Sequence, residues 1–129
     1  MARTPTQVEA VDSNATADST TPGSSYATIG DSTYYDMAAF SAFSAFVTVL
    51  SASGTSPTLD VRIEDSGDSE NWVTLVDFAQ FTTTGVKVVR VPGPGTSDAK
   101  TFGRYVRFRG KTGGTTPSFV YKIDMSKVE

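Results

Sequence analysis

The sequence predicts an all-β protein, an antiparallel β-sandwich of immunoglobulin-like or jelly-roll type with an extended N-terminal arm. Three observations carry that reading. Several short runs alternate apolar and polar residues with the two-residue period of half-buried strands. Clusters of Gly, Pro, Ser and Asp separate the runs and read as turns. No segment holds a helical period long enough for a convincing long helix, and six or seven short strands without helices fit a two-layer sandwich. At 129 residues the chain supports one core and not two.

Residues 1–25 are rich in Thr, Ser and Ala, with Val8 and Val11 as their branched aliphatics. Such a segment buries too little apolar area to offset its ordering entropy. It is expected to be a flexible arm, either a disordered tail or an extension that orders against another chain, and residues 26–129 are expected to form the sandwich. A short first strand is expected near residues 26–29. Residues 36–46, DMAAFSAFSAF, place Met37, Phe40 and Phe43 at three-residue spacing, and Asp36 suits a cap. They lead into the β-branched run FVTVLSAS at 46–53, so a turn or single helical turn over 36–44 followed by a strand is expected.

Residues 54–57 are a turn cluster that returns the chain into its clearest hairpin, residues 58–78. Leu59, Val61 and Ile63 alternate with Asp60, Arg62 and Glu64; residues 65–71 are nearly all turn formers; residues 72–78 run back. A further strand at 86–91 is stopped by Pro92-Gly93-Pro94-Gly95, because proline cannot donate to a ladder. Residues 102–109 alternate so that one face is largely apolar and the other basic. Gly113-Gly114 is expected to turn the chain into a last strand at 119–125. The inward positions of these runs predict a core of Val47, Val49, Leu59, Val61, Ile63, Trp72, Leu75, Val106, Phe108, Phe119, Tyr121 and Ile123.

The composition removes whole classes of function. The net charge of −3 argues against nucleic acid as the main partner, since phosphate binding needs a basic excess. Cysteine and histidine are both absent. Disulfides, thiolate metal sites and Ser-His catalysis are therefore impossible, and the usual general base is missing. No apolar run is long enough for a membrane helix, and the first residues lack the apolar core of a signal peptide, so a protein used without secretion by that route is expected. No enzymatic activity, cofactor or metal is expected.

Three local constellations remain. Asp65, Asp68 and Glu70 invite a calcium reading, but their spacing is not that of an EF-hand and solvated turns often carry such residues. Ser66, Asp68, Asn71 and Trp72 are similar to the Asp-box hairpin turn, in which the Asp ties the turn amides and the Trp packs beneath. Glu70 stands where that motif has Gly and Asn71 where it has Thr, and the implied role of Asp65, Ser66, Asp68 and Trp72 is structural. Arg104, Arg107 and Arg109, with Lys111 and Lys122, form a basic cluster that is either solvated or meets an acidic protein surface. The carboxylates Asp60 and Glu64 share a strand face and read as solvated rather than as an acid–base pair.

Four stretches resemble small β-sandwich virion proteins of tailed bacteriophages, in particular capsid cement or decoration proteins. They are Ser56-Pro57-Thr58-Leu59-Asp60-Val61, the corner at 65–72, Phe102-Gly103-Arg104-Tyr105-Val106-Arg107, and Gly113-Gly114-Thr115-Thr116-Pro117-Ser118-Phe119. The resemblance spans roughly residues 45–125. It implies a noncatalytic protein that binds the major capsid protein of the same phage on the outer capsid surface, with assembly in the host cytoplasm. It also implies self-association, as a dimer or trimer on the shell; from the charge and the lack of a membrane-length apolar run, no nucleic-acid or membrane partner is expected. Expected interface residues are Val8, Val11, Tyr26, Arg104, Arg107 and Arg109. A tail or head–tail connector subunit, or a carbohydrate-binding sandwich presenting Trp72 or Tyr105, is the alternative.

Overall fold

The computed structural model describes residues 7–18, 26–91 and 102–128, and within the first of these segments the side chains of Val11, Ala15, Thr16 and Ala17. The described residues form strands β1 (Gln7–Asp18), β2 (Ala27–Ile29), β3 (Tyr35–Asp36), β4 (Ala42–Ser66), β5 (Val73–Asp77), β6 (Gly85–Val91) and β7 (Tyr105–Val128). All pairings are antiparallel. The all-β antiparallel sandwich read from the sequence is the fold of this chain.

Its frame is the ladder between two very long strands, β4 of 25 residues and β7 of 24. Both bend sharply where Thr55 pairs with Thr115, and register shifts flank that pair. The bend divides each strand between two layers. In one layer the order is β1, the C-terminal half of β7, the N-terminal half of β4, then β6. In the other, β2 and β3 pair with the first half of β7, and β5 pairs with the second half of β4. The inner faces enclose one core, to which Phe43, Val47 and Ile123 contribute from one layer and Val61, Ile63 and Phe108 from the other.

The clusters expected at 54–57 and 113–114 to reverse the chain do not reverse it. They form the bend itself, where Gly54, Ser56, Gly114 and Thr116 all have positive φ. A Cβ on Gly54 would lie 2.7 Å from the Thr116 carbonyl oxygen, so glycine permits both the dihedral angle and the close strand approach. Inward positions of β7 change from even numbers (Val106, Phe108, Thr112) to odd ones (Phe119, Tyr121, Ile123) across it.

The flexible-arm expectation fails for residues 7–18. They form an edge strand paired with β7 from Gln7↔Lys127 to Asp18↔Ser118, and Val11 and Ala17 are buried. The domain boundary expected at residue 25 therefore does not separate an arm from a sandwich; residues 1–6 and 19–25 lie outside the described residues. A further correction concerns Trp72, which is half-buried and outside the core, while Leu75 is half-buried against it. Met37, Phe43 and Phe81 are large core residues that the alternation does not pick out. Over 36–44 the expected turn is present: Asp36 Oδ1 accepts from Ala38 N, Phe40 N donates to the Met37 carbonyl, and β4 begins at Ala42.

Candidate functional site

Two outward surfaces concentrate the chain's exposed chemistry, one on each layer. On the layer carrying β5, odd residues of β7 and even residues of β4 up to Glu64 point outward, and their register places Asp60 opposite Lys111, Arg62 opposite Arg109 and Glu64 opposite Arg107, with buried Ser66 opposite Tyr105. Most of these charges are matched. Arg107 makes bonds of 2.7 and 2.8 Å to Glu64 Oε1, with both side chains under one-fifth exposed. Arg62 donates to Asp77 Oδ1 at 3.0 Å and lies 3.9 Å over the Tyr26 ring. Arg104 pairs with Asp36 at 3.0 Å, and its hydrogen bond holds the Asp36 carboxyl below its ordinary range.

Arg62 and Arg109 are like charges placed directly opposite, an unfavourable cross-strand pair. The strain is divided sideways. Asp77 takes Arg62, while Arg109 donates to Thr28 Oγ1 at 2.9 Å and to the Tyr26 carbonyl at 3.2 Å. Arg109 Nε stays buried without a hydrogen-bond partner among the described residues, 3.9 Å from Glu64 Oε1. Burial pushes the Tyr26 phenol up, against the lowering effect of Arg62. The expected basic face is thus an interleaved ionic lattice, and Lys122 belongs to the other layer, opposite Thr48.

The Asp-box-like corner behaves as the motif implies in its polar half. Asp68 Oδ1 accepts from Glu70 N, Asn71 N and Ser66 Oγ, and Oδ2 from Asn71 Nδ2. These donors hold the Asp68 carboxyl far below the usual range, the two backbone amides contributing most. Asp65 Oδ2 accepts from Gly103 N at 2.7 Å and clamps the start of β7. Both carboxylates are engaged by the fold, which leaves the calcium reading without a ligand set; among the described residues no acidic group of three converges.

The apolar half departs from the motif. Trp72 sits beside the corner in a surface cluster, 6.0 Å from Tyr34, with Arg107 4.3 Å over its ring, and Tyr34 meets Tyr105 edge-on at 5.2 Å. The protein's own guanidinium already covers one face of Trp72. Tyr34, at 41% exposure, remains open. No sequence signal points to it, since its neighbours come from distant strands.

On the opposite layer, Phe46 lies across from Val88 and Thr48 across from Val86, and Leu50 continues the same outward row of β4. Leu50, Val86 and Val88 are exposed (47%, 62% and 37%), and Phe46 is half-buried. They form an apolar strip along edge strand β6, which sequence alternation marks only as a strand. Of the expected interface residues, Val11 has no exposed surface, Tyr26 is half-buried under Arg62, and the three arginines are engaged as described. The side chain of Val8 lies outside the described set. A cavity of about 330 Å³ opens between Met37, Phe40, Phe102 and Arg104.

No protein-family model matches the chain, and no curated protein matches it either. Solved structures do. A protein of Bacillus endospore appendages, described as a novel family of disulfide-linked pili, is 13% identical over 99% of this chain and 90% of its own, with a TM-score of 0.52. The SPBc2 prophage-derived protein YomS is 11% identical over 100% of this chain and 99% of its own, at 0.46. The CBM22-1–GH10 modules of a Clostridium thermocellum xylanase align with 97% of this chain and 28% of their own, at 8% identity and 0.44. The appendage protein shares the fold. Without cysteine, this chain cannot share its disulfide linkage.

Proposed function

We propose that this chain is a noncatalytic structural protein of a tailed-bacteriophage virion, a decoration or cement protein that binds the outer surface of the major capsid protein shell. The observation that best supports an assembly role is the apolar strip of Phe46, Leu50, Val86 and Val88. Contiguous exposed apolar surface is one mark of a protein contact site. The absence of histidine and cysteine is consistent with a role that needs no chemistry. In this reading the protein is made in the host cytoplasm, acts on the particle surface, and takes neither nucleic acid nor membrane as partner.

The test is occupancy on shells purified without the protein. The parent is expected to bind in many copies per shell, and Val86→Glu/Val88→Glu to weaken binding by roughly tenfold or more at unchanged melting temperature. A few copies confined to the portal or tail would support the connector reading instead. Binding to a glycan array that depends on Tyr34, without shell binding, would support the sugar reading.

A further inference from the structure

The layer built from β1, β7, β4 and β6 is antiparallel throughout and has two unlike edges. Among the described residues, β6 has no neighbour beyond β4 and β1 none beyond β7. Because that layer has an even number of strands, β1 and β6 run in opposite directions. A second copy placed beside the first in the same orientation therefore sets its β1 antiparallel to β6 of the first.

The charges of the two edges are opposite. The β1 sequence carries Glu9, Asp12 and Asp18 and no Lys or Arg, whereas β6 carries Lys87 and Arg90 and no acid. Following the register across one layer puts Val8, Ser126, Ser44 and Arg90 in one row, and Asp12, Ile123, Val47 and Lys87 in another. An unstaggered neighbour would bring its Asp12 into the row of Lys87 and its Glu9 into the row of Val89, diagonal to Lys87. Pairing β6 with β6 of a second copy would bring cationic strands together, and β1 with β1 acidic ones.

We infer that the occupant of the β6 edge is β1 of a second copy of this chain, giving a head-to-tail, strand-by-strand assembly. The contact is heterologous: it closes into a ring if the repeated rotation closes and otherwise extends as a chain. It is also limited. At the β1 bulge the Val11 carbonyl is already taken by Asp31 N and Tyr35 Oη, so the register-matched segment is mainly Gln7–Ala10 against 88–91. A ladder that short gives weak association in free solution, which adjacent docking on a larger surface would strengthen. The inference does not depend on a capsid partner, and shell occupancy can be positive or negative independently of it.

Sedimentation of the full chain over a range of concentrations, at low and high salt, is the test. Expected is association that grows past the dimer with concentration and weakens with salt. Lys87→Glu/Arg90→Glu and Glu9→Lys/Asp12→Lys are each expected to weaken self-association roughly tenfold or more, while an equimolar mixture of the two restores it, since each acidic edge again meets a basic one. A parent that stays monomeric, a dimer that grows no further, or a mixture that is no more associated than its components would overturn the inference. Circular dichroism confirms that the variants are folded; if either is not, Lys87→Gln/Arg90→Gln with the same salt series decides the matter.

Discussion

Asp68 shows how one carboxylate sets a corner. Its two oxygens collect two backbone amides, a hydroxyl and a side-chain amide, so its charged form is held by the fold and its folded value lies below the unfolded one. That stabilisation is complete above the ordinary carboxylate value of about 3.9 and is lost as pH falls toward the folded value. Asp68→Ala should be less stable than the parent at neutral pH, and the difference should shrink when melts are repeated near pH 3 and below. Trp72 makes the complementary case. Half-buried under Arg107 and outside the core, it should cost about 1–2 kcal/mol on change to Ala, against about 3–5 kcal/mol for Phe108→Ala in the core. Chemical denaturation followed by circular dichroism compares the two. The hairpin around these residues is legible in the sequence because its signals are local: alternation, then a run of turn formers, then a return. The position of Trp72 is not, because what holds it beside the corner is Tyr34 and Arg107, which reach it from other parts of the chain.

At the scale of elements, the bend in β4 and β7 is the feature the sequence disguises. Gly54 and Gly113-Gly114 look like reversals because a reversal and a sharp bend ask for the same residue, one that accepts positive φ with another backbone close by. Sequence spacing does not tell the two apart; the ladder does, since pairing resumes beyond the bend. Gly54→Ala should destabilise by more than about 2 kcal/mol, as it adds both a strained φ and a clash with the Thr116 carbonyl. Gly114→Ala meets the Ser56 carbonyl in the same way. Gly67, in the hairpin corner, has open space for 4 Å around the position its Cβ would take and no positive φ, so Gly67→Ala should be nearly neutral. Denaturant midpoints for the three variants check the contrast.

For the molecule as a whole, the N-terminal segment departs from its sequence expectation for a physical reason. Its poverty in apolar residues does deny it a core of its own, yet an edge strand needs none: β1 contributes backbone bonds and the small side chains of Val11 and Ala17 to a core supplied by other strands. Deleting residues 2–18 should therefore lower the melting temperature by on the order of 10 °C or more, since it uncovers the outer edge of β7 and part of the core. A truncated protein that melts with the parent would show the strand to be dispensable. The same strand fixes how the molecule responds to force. Gln7 lies opposite Lys127, so the two ends of the described chain leave the sheet side by side. A pull between them loads the β1–β7 bonds one at a time and peels the strand away as a zip opens, whereas a pull between residues 7 and 118 loads the whole ladder together in shear. Tethers at the two ends should release β1 at far lower tension than tethers at 7 and 118.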